Sequence, residues 1–203
     1  MARQANYNRD DVLAKAQALF WAKGYHATSL KDLESALDMR PGSIYAAFGS
    51  KEALFAETLQ RYGERSLALL QQFQKEAPSP LAGLAAQVRA FGCTPADPAP
   101  SRACMLVKTL LETPDNDPVL RRQTEEMMQG IEREFAAAFR AAQSAGEIAA
   151  DADPERLACR LQAAIFGMRA YAQRTDSQDK IEALAEDIAR DLERLAQTGA
   201  RPQ

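Results

Sequence analysis

Histidine is almost missing from this 203-residue chain: His26 stands alone, and Cys93, Cys104 and Cys159 are too widely spaced for a zinc-ligand set. No metal and no cofactor is therefore expected. No glycine-rich phosphate loop is present, and no nucleophile is paired with a base, so an enzyme is not expected. No run of about 18 apolar residues occurs, which excludes an apolar membrane-spanning helix. Residues 1–20 lack an uninterrupted apolar stretch, so no secretory leader is expected and the cytoplasm is the default location. There, structural disulfides are not expected. The alternating pattern of half-buried strands is also lacking, as is any internal repeat, and this leaves an all-α fold.

What is present is helical punctuation, densest in residues 25–55, YHATSLKDLESALDMRPGSIYAAFGSKEALF. Ahead of this segment, Val12, Leu13, Ala16, Leu19 and Phe20 mark one face of a helix from Arg9 to Lys23, which Gly24 stops. Thr28 or Ser29 caps a second helix with the apolar stripe Leu30, Leu33, Ala36 and Leu37. Pro41 suits the first position of a third helix, which runs to Phe48, because its fixed φ helps and its missing N–H costs nothing. Ile44 and Phe48 form its buried side. Arg40, Gly42, Ser43, Tyr45 and Ala46 are left outward, a small surface with one cation and two hydroxyls that fits a major groove. This is a helix-turn-helix, and it points to DNA. Ser50 caps the next helix, and Lys51 in its first turn opposes the macrodipole. A phosphate held there by free N–H groups and the lysine would reverse that penalty; a solvated lysine is the alternative.

The chain carries a net charge of −3 and a pI near 5.4, yet the charge is uneven. Residues 1–51 hold seven Lys/Arg against five Asp/Glu, and the rest holds 18 against 23. The basic excess is modest, so non-specific DNA binding is expected to be weak and salt-sensitive. The length suits a helix-turn-helix domain over residues 1–52 and a larger helical domain over 53–203.

On Phe20, Gly24, Thr28, Leu33, Gly42, Ser43, Tyr45, Phe48, Lys51, Glu52 and Leu54, the stretch from about residue 9 to 60 resembles the DNA-binding domain of the TetR family of transcriptional regulators. Its most specific signal is G-S-I-Y-A-A-F-G-S-K-E-A-L-F. The resemblance implies that Thr28, Ser43, Tyr45 and Lys51 face backbone phosphates, while Arg40, Pro41 and Gly42 approach base edges of a double-stranded operator. Pro41 departs from the lysine that many relatives carry. Affinity is therefore expected to lean on Arg40, Lys51 and an N-terminal arm with Arg3 and Arg9.

Beyond this region the pattern is helix after helix. Ser50 to about Lys75 forms a long one, on the order of 40 Å, which Pro78 and Pro80 end before a shorter helix from Leu81 to Phe91. Residues 92–101, with Pro95, Pro98 and Pro100, read as a loop. Cys104 to Thr113 resumes helix until Pro114, and the pairs Asp117-Pro118 and Asp153-Pro154 each open another. The last helix spans about Asp179 to Gln197.

One short helix-turn-helix makes too few contacts for specific recognition, so a homodimer reading two half-sites is expected. Its seam is read on the last two helices. Ala163, Ala164, Gly167 and Ala170 permit close approach, Leu161, Ile165, Phe166 and Met168 add apolar area, and Ile181, Leu184, Ala185, Ile188, Leu192 and Leu195 line the final helix. The same face could instead cover the chain's own core. Phe91, Cys104, Met105, Lys108, Met127, Met128, Phe135, Phe139, Phe166, Met168 and Tyr171 suit either a pocket for an apolar or aromatic small-molecule effector or ordinary core. The resemblance implies the effector: in the family it binds this domain and shifts the long helix. Cys104, with Arg102 and Lys108 near, carries an alternative, an electrophile- or oxidant-sensing regulator like some cysteine-bearing TetR relatives. A buried, inert thiol is the other possibility.

Overall fold

The computed structural model describes residues 7–93, 100–113, 117–174 and 178–199, with side chains to residue 196. Among them are nine helices and no strand: α1 Arg9–Lys23, α2 Leu30–Leu37, α3 Pro41–Phe48, α4 Lys51–Glu76, α5 Pro80–Gly92, α6 Met105–Glu112, α7 Pro118–Ser144, α8 Pro154–Tyr171 and α9 Gln178–Gly199. Arg3, Pro95, Pro98 and Pro114 lie outside the described residues.

The helix starts follow side-chain chemistry. Ser29 accepts from the Asp32 N–H while the Asp32 carboxylate accepts from the Ser29 N–H, so Ser29 rather than Thr28 opens α2. Ser50, Ser79, Asp117 and Asp153 cap α4, α5, α7 and α8 through a single side-chain oxygen that accepts from the N–H three residues on, and Pro41, Pro80, Pro118 and Pro154 occupy first-turn positions. Each side-chain cap is worth about 1 kcal/mol. α1 stops at Gly24, whose φ of 88° suits only glycine, and a Cβ there would also strike the Glu112 carboxylate of α6.

Two hydrophobic cores form. The first joins Phe20, Leu33, Ile44, Phe48, Leu54, Phe55 and Leu59 to Met105, Leu106 and Leu120, so α6 and the start of α7 complete the N-terminal head. The second gathers Leu70, Leu84, Val88, Phe135, Phe139, Leu161, Ile165, Met168, Ile181 and Ala189. α4 and α7 contribute to both and link them mechanically. α5 and α9 pack closely because Gly92 presents no Cβ where Ala185 needs the space.

A charge clamp seals the same pair of helices. Arg89 donates through Nε to Glu186 at 2.7 Å and through Nη1 to Glu193 at 2.6 Å, and Arg190 reaches Glu186 at 2.8 Å. Arg89, and then Arg190, hold the Glu186 carboxyl at about 2, against an ordinary 4.5. Because the folded value is depressed, the clamp is fully stabilising above pH 4.5 and is lost as pH falls toward about 2. Glu186→Gln should accordingly flatten the fall of melting temperature with pH across that window. An unchanged slope in the variant would show that the clamp does not titrate with folding.

Candidate nucleic-acid interface and effector domain

α3 has two unlike sides. Ile44 and Phe48 are buried, whereas Gly42, Ser43, Tyr45 and Ala46 face solvent, Tyr45 at 45% exposure. Pro41 is half-buried at the first helical position, and Arg40 precedes it as an exposed cap residue. Arg40's backbone carbonyl accepts from Ser43 and Ile44, but its guanidinium meets no partner among the described residues. A free planar cation beside small residues and two hydroxyls can approach a base edge without a side chain holding it off.

Lys51 is fixed by an aromatic platform. Its ammonium lies 4.4 Å from the centre of the Tyr25 ring, and the Tyr25 hydroxyl donates to Glu52 at 2.8 Å. Cation–π attraction offsets the dipole penalty that the sequence poses. Partial burial pulls the ammonium's pKa down. The Glu52 carboxyl is held below its usual range by its own backbone N–H and then by the Tyr25 and Ser50 hydroxyls. His26 is exposed at the edge of Tyr25, 4.9 Å between ring centres.

Two expected DNA contacts have other work. The Thr28 side chain is fully buried and its hydroxyl donates to the Gly24 carbonyl at 2.6 Å, so it cannot face a phosphate. Instead it fixes the turn between α1 and α2. Arg9 is no free arm: it donates to both Glu57 oxygens at 2.7 and 2.8 Å and to the Ala47 carbonyl at 3.2 Å, and it stacks over Phe48. Arg9 thereby pins α3 to α4.

The residues expected to line an effector pocket divide between the two cores. Cys104, Met105, Met127, Met128 and Phe166 pack on the head's core, whereas Phe91, Phe135 and Tyr171 belong to the other. Lys108 has other work: its ammonium caps the end of α1 at the Trp21 and Ala22 carbonyls, 2.7 and 3.1 Å away. Cys104 is buried, and the Tyr62 hydroxyl donates to its sulfur at 3.6 Å while accepting from Arg169 at 3.0 Å. Burial, and then the neighbouring Cys104, raise the Tyr62 pKa. Trp21 stacks edge-on against Tyr62 and donates to the Ala103 carbonyl at 2.7 Å. This knot of α1, α4, α6 and α8 was not foreseen, although the chain's one tryptophan was a signal. An open cleft of about 230 Å³ adjoins it, and of the expected pocket residues Phe91 and Met168 line it.

The expected dimer residues also divide. Leu161, Ile165, Met168, Ile181 and Leu192 are buried in the chain's own core and have no area left for a partner. Gly167 and Leu184 are exposed, and Ala164 and Ile188 half-buried. The open side of α8 is Cys159, Ala163, Gly167 and Ala170, a helical stripe of small groups, and a Cβ added at Gly167 would touch nothing.

A compact trihelical head with a bare cation at the start of its third helix, carried on a larger helical body, defines a helix-turn-helix DNA-binding protein. Residues 12–58 match the family described as bacterial regulatory proteins, tetR family, and residues 80–188 match the tetracyclin repressor-like C-terminal domain. The HTH-type transcriptional repressor ComR of Escherichia coli (strain K12) is 33% identical, over 88% of this chain and 86% of its own length. The uncharacterized HTH-type regulator YezE of Bacillus subtilis (strain 168) is 28% identical, over 90% and 94%. A cysteine-substituted CifR, a TetR family transcriptional regulator complexed with 26bp double-strand operator DNA, shares 30% identity, a TM-score of 0.84, and coverage of 93% of this chain and 98% of that one. The chain belongs to the TetR family of transcriptional regulators. It is a DNA-binding regulator and not an enzyme. No helix among the described residues is long and apolar enough to cross a membrane.

Proposed function

We propose that the protein is a cytoplasmic, homodimeric repressor that binds a palindromic operator and is released by a small apolar or aromatic effector. One observation carries this reading: the unpartnered Arg40 guanidinium at the start of α3, flanked by the exposed Gly42, Ser43 and Tyr45. Arg40 would read bases, and Ser43, Tyr45 and Lys51 would grip phosphates on either side. The repressor names of ComR and the operator-bound CifR relative support the reading. The exposed small-residue stripe of α8, with Leu184 of α9, would form the seam between copies, and the two domains would divide near residue 52 within the first turn of α4.

Release needs an effector that prefers the non-binding shape by about 2.7 kcal/mol for a 100-fold loss of affinity. α4 reaches both cores and would carry the change. Selection from random duplexes by the purified chain, with sedimentation run beside it, tests the reading. Enrichment of a two-fold-symmetric site by a dimer supports it, and no enrichment, or a monomer, would sink it.

A redox reading stands second, favoured by the Tyr62 hydroxyl on the Cys104 sulfur at a junction of head and body. Against it, Cys104 is buried while Cys93 and Cys159 are exposed. Native alkylation followed by mass spectrometry should label Cys93, which lies outside the proposed seam, far faster than Cys104. Fast labelling of Cys104 with loss of operator binding would promote the redox reading to first.

A further inference from the structure

The cleft between the C-terminal ends of α5 and α8 and the start of α9 holds two arginines and no acid. Its walls are Phe91, Met168 and Ile181, and its polar groups include Arg102, Arg169 and Gln178. At about 230 Å³ it is smaller than the ~300 Å³ at which drug-sized pockets begin, so it suits a compact ligand.

The Arg169 guanidinium and the backbone that carries Arg102 are held in place, and neither cation is neutralised. The backbone of residues 101–103 is anchored from two helices: Arg169 Nε donates to the Arg102 carbonyl at 3.2 Å, and Trp21 donates to the Ala103 carbonyl at 2.7 Å. The Gln173 amide adds a third anchor on the same turn. Arg102's own side chain is exposed and meets no group among the described residues. Of the five N–H groups of Arg169, one goes to that carbonyl and one to the Tyr62 hydroxyl, and its guanidinium lies 5.5 Å from the centre of the Phe91 ring. Neither arginine has a carboxylate partner among the described residues. Glu182, which neighbours the rim, is engaged by Gln178 at 2.7 Å.

Residues 52–203 carry 23 acids against 18 bases, so leaving two cations without acids at one cleft runs against the composition around them. An apolar floor with two unneutralised guanidinium groups at its edge recognises a molecule with an apolar body and one carboxylate.

We infer that this cleft binds a compact organic acid, its carboxylate held between Arg102 and Arg169 and its apolar part against Phe91, Met168 and Ile181. The inference rests on the proposal that the body domain takes an effector, and it names the chemical class. Occupancy also has a route to the head. A carboxylate on Arg169 shares that guanidinium with the Tyr62 hydroxyl on α4, and the Arg102 turn is tied to Trp21 on α1.

Calorimetry on the full chain with benzoate, hexanoate and 3-phenylpropanoate, each against its primary amide, tests this directly. At least one acid should bind about ten-fold or more tightly than its amide. Arg102→Gln should bring that preference to within about three-fold while leaving the ligand-free melting temperature unchanged, since the side chain it replaces touches nothing. Arg169→Gln should do the same, but it also strips Tyr62 of a partner, so Arg102→Gln is the deciding variant. Amides that bind as well as acids, no saturation by any acid at millimolar concentration, or a preference that survives Arg102→Gln would each overturn the inference. Operator affinity is read in the same samples. An acid that binds through Arg102 yet leaves operator affinity unchanged keeps the site and removes the effector role, whereas a protein that selects an operator but binds no acid keeps the regulator and removes the site.

Discussion

Arg40→Ala lowers affinity for the selected operator by about 2–6 kcal/mol in a two-headed complex, because each head loses ~1–3 kcal/mol of base contact. Even the smaller figure is roughly thirty-fold. The variant should melt like the parent protein, since the Arg40 guanidinium holds nothing in the fold while its backbone carbonyl, which every residue supplies, closes the first turn of α3. Discrimination should relax at one position of each half-site and stay intact elsewhere. Lys51→Ala differs in kind. Its loss should be nearly uniform across sequences, and the slope of log affinity against log salt should fall by about 1 per head. It also removes the stack on Tyr25, at about 0.5–1 kcal/mol of stability. Gel-shift titrations at several salt concentrations separate the two behaviours. If Arg40→Ala bound the operator as tightly and as selectively as the parent protein, α3 would not be the element that reads sequence.

The helices were legible in the sequence because their ends are written in short-range chemistry. Ser29, Ser50, Asp117 and Asp153 each cap a backbone N–H within three residues, and four prolines stand in first turns, so no tertiary information was needed to place them. The outward face of α3 was legible too, since a helix of eight residues with only Ile44 and Phe48 to bury has one possible inner side. The roles of Thr28 and Arg9 were not. A threonine near a helix start and an arginine near a terminus look the same from the sequence whether they meet a phosphate or, as here, the Gly24 carbonyl and Glu57. The apolar faces of α8 and α9 failed for a related reason: periodicity shows which side of a helix avoids water, not whether the chain itself or a second copy covers it. Leu161, Ile165 and Met168 went to the chain's own core, and the side left open is marked by small residues, which carry little hydrophobic signal. Arg102 and Arg169 sit 67 positions apart and meet only through the Arg102 carbonyl, a contact that no local pattern announces.

Phe20→Ala removes a side chain that is 1% exposed and packed edge-on against Phe55, with 4.9 Å between ring centres. Truncating a buried phenylalanine costs about 3–5 kcal/mol, against a net stability of about 5–15 kcal/mol for a typical domain. How that loss is distributed is the more telling outcome. Were residues 1–52 an independent unit, the variant head would melt at low temperature and leave the body folded. The head's core, however, includes Met105, Leu106 and Leu120 from beyond α4, and Lys108 and Trp21 tie α6 to α1. Melting the head therefore exposes the inner face of α6 and the Tyr62 knot, which the body cannot leave uncovered. Phe20→Ala should consequently unfold in one transition, shifted down as a whole, with tertiary and helical signals coinciding. Two separated transitions would mean that head and body are joined by α4 alone. The single transition has a functional counterpart: a head welded to α6 and α8 at Trp21, Tyr62 and Arg169 cannot ignore a change in the body, and that is the physical condition for an effector to govern DNA binding at a distance.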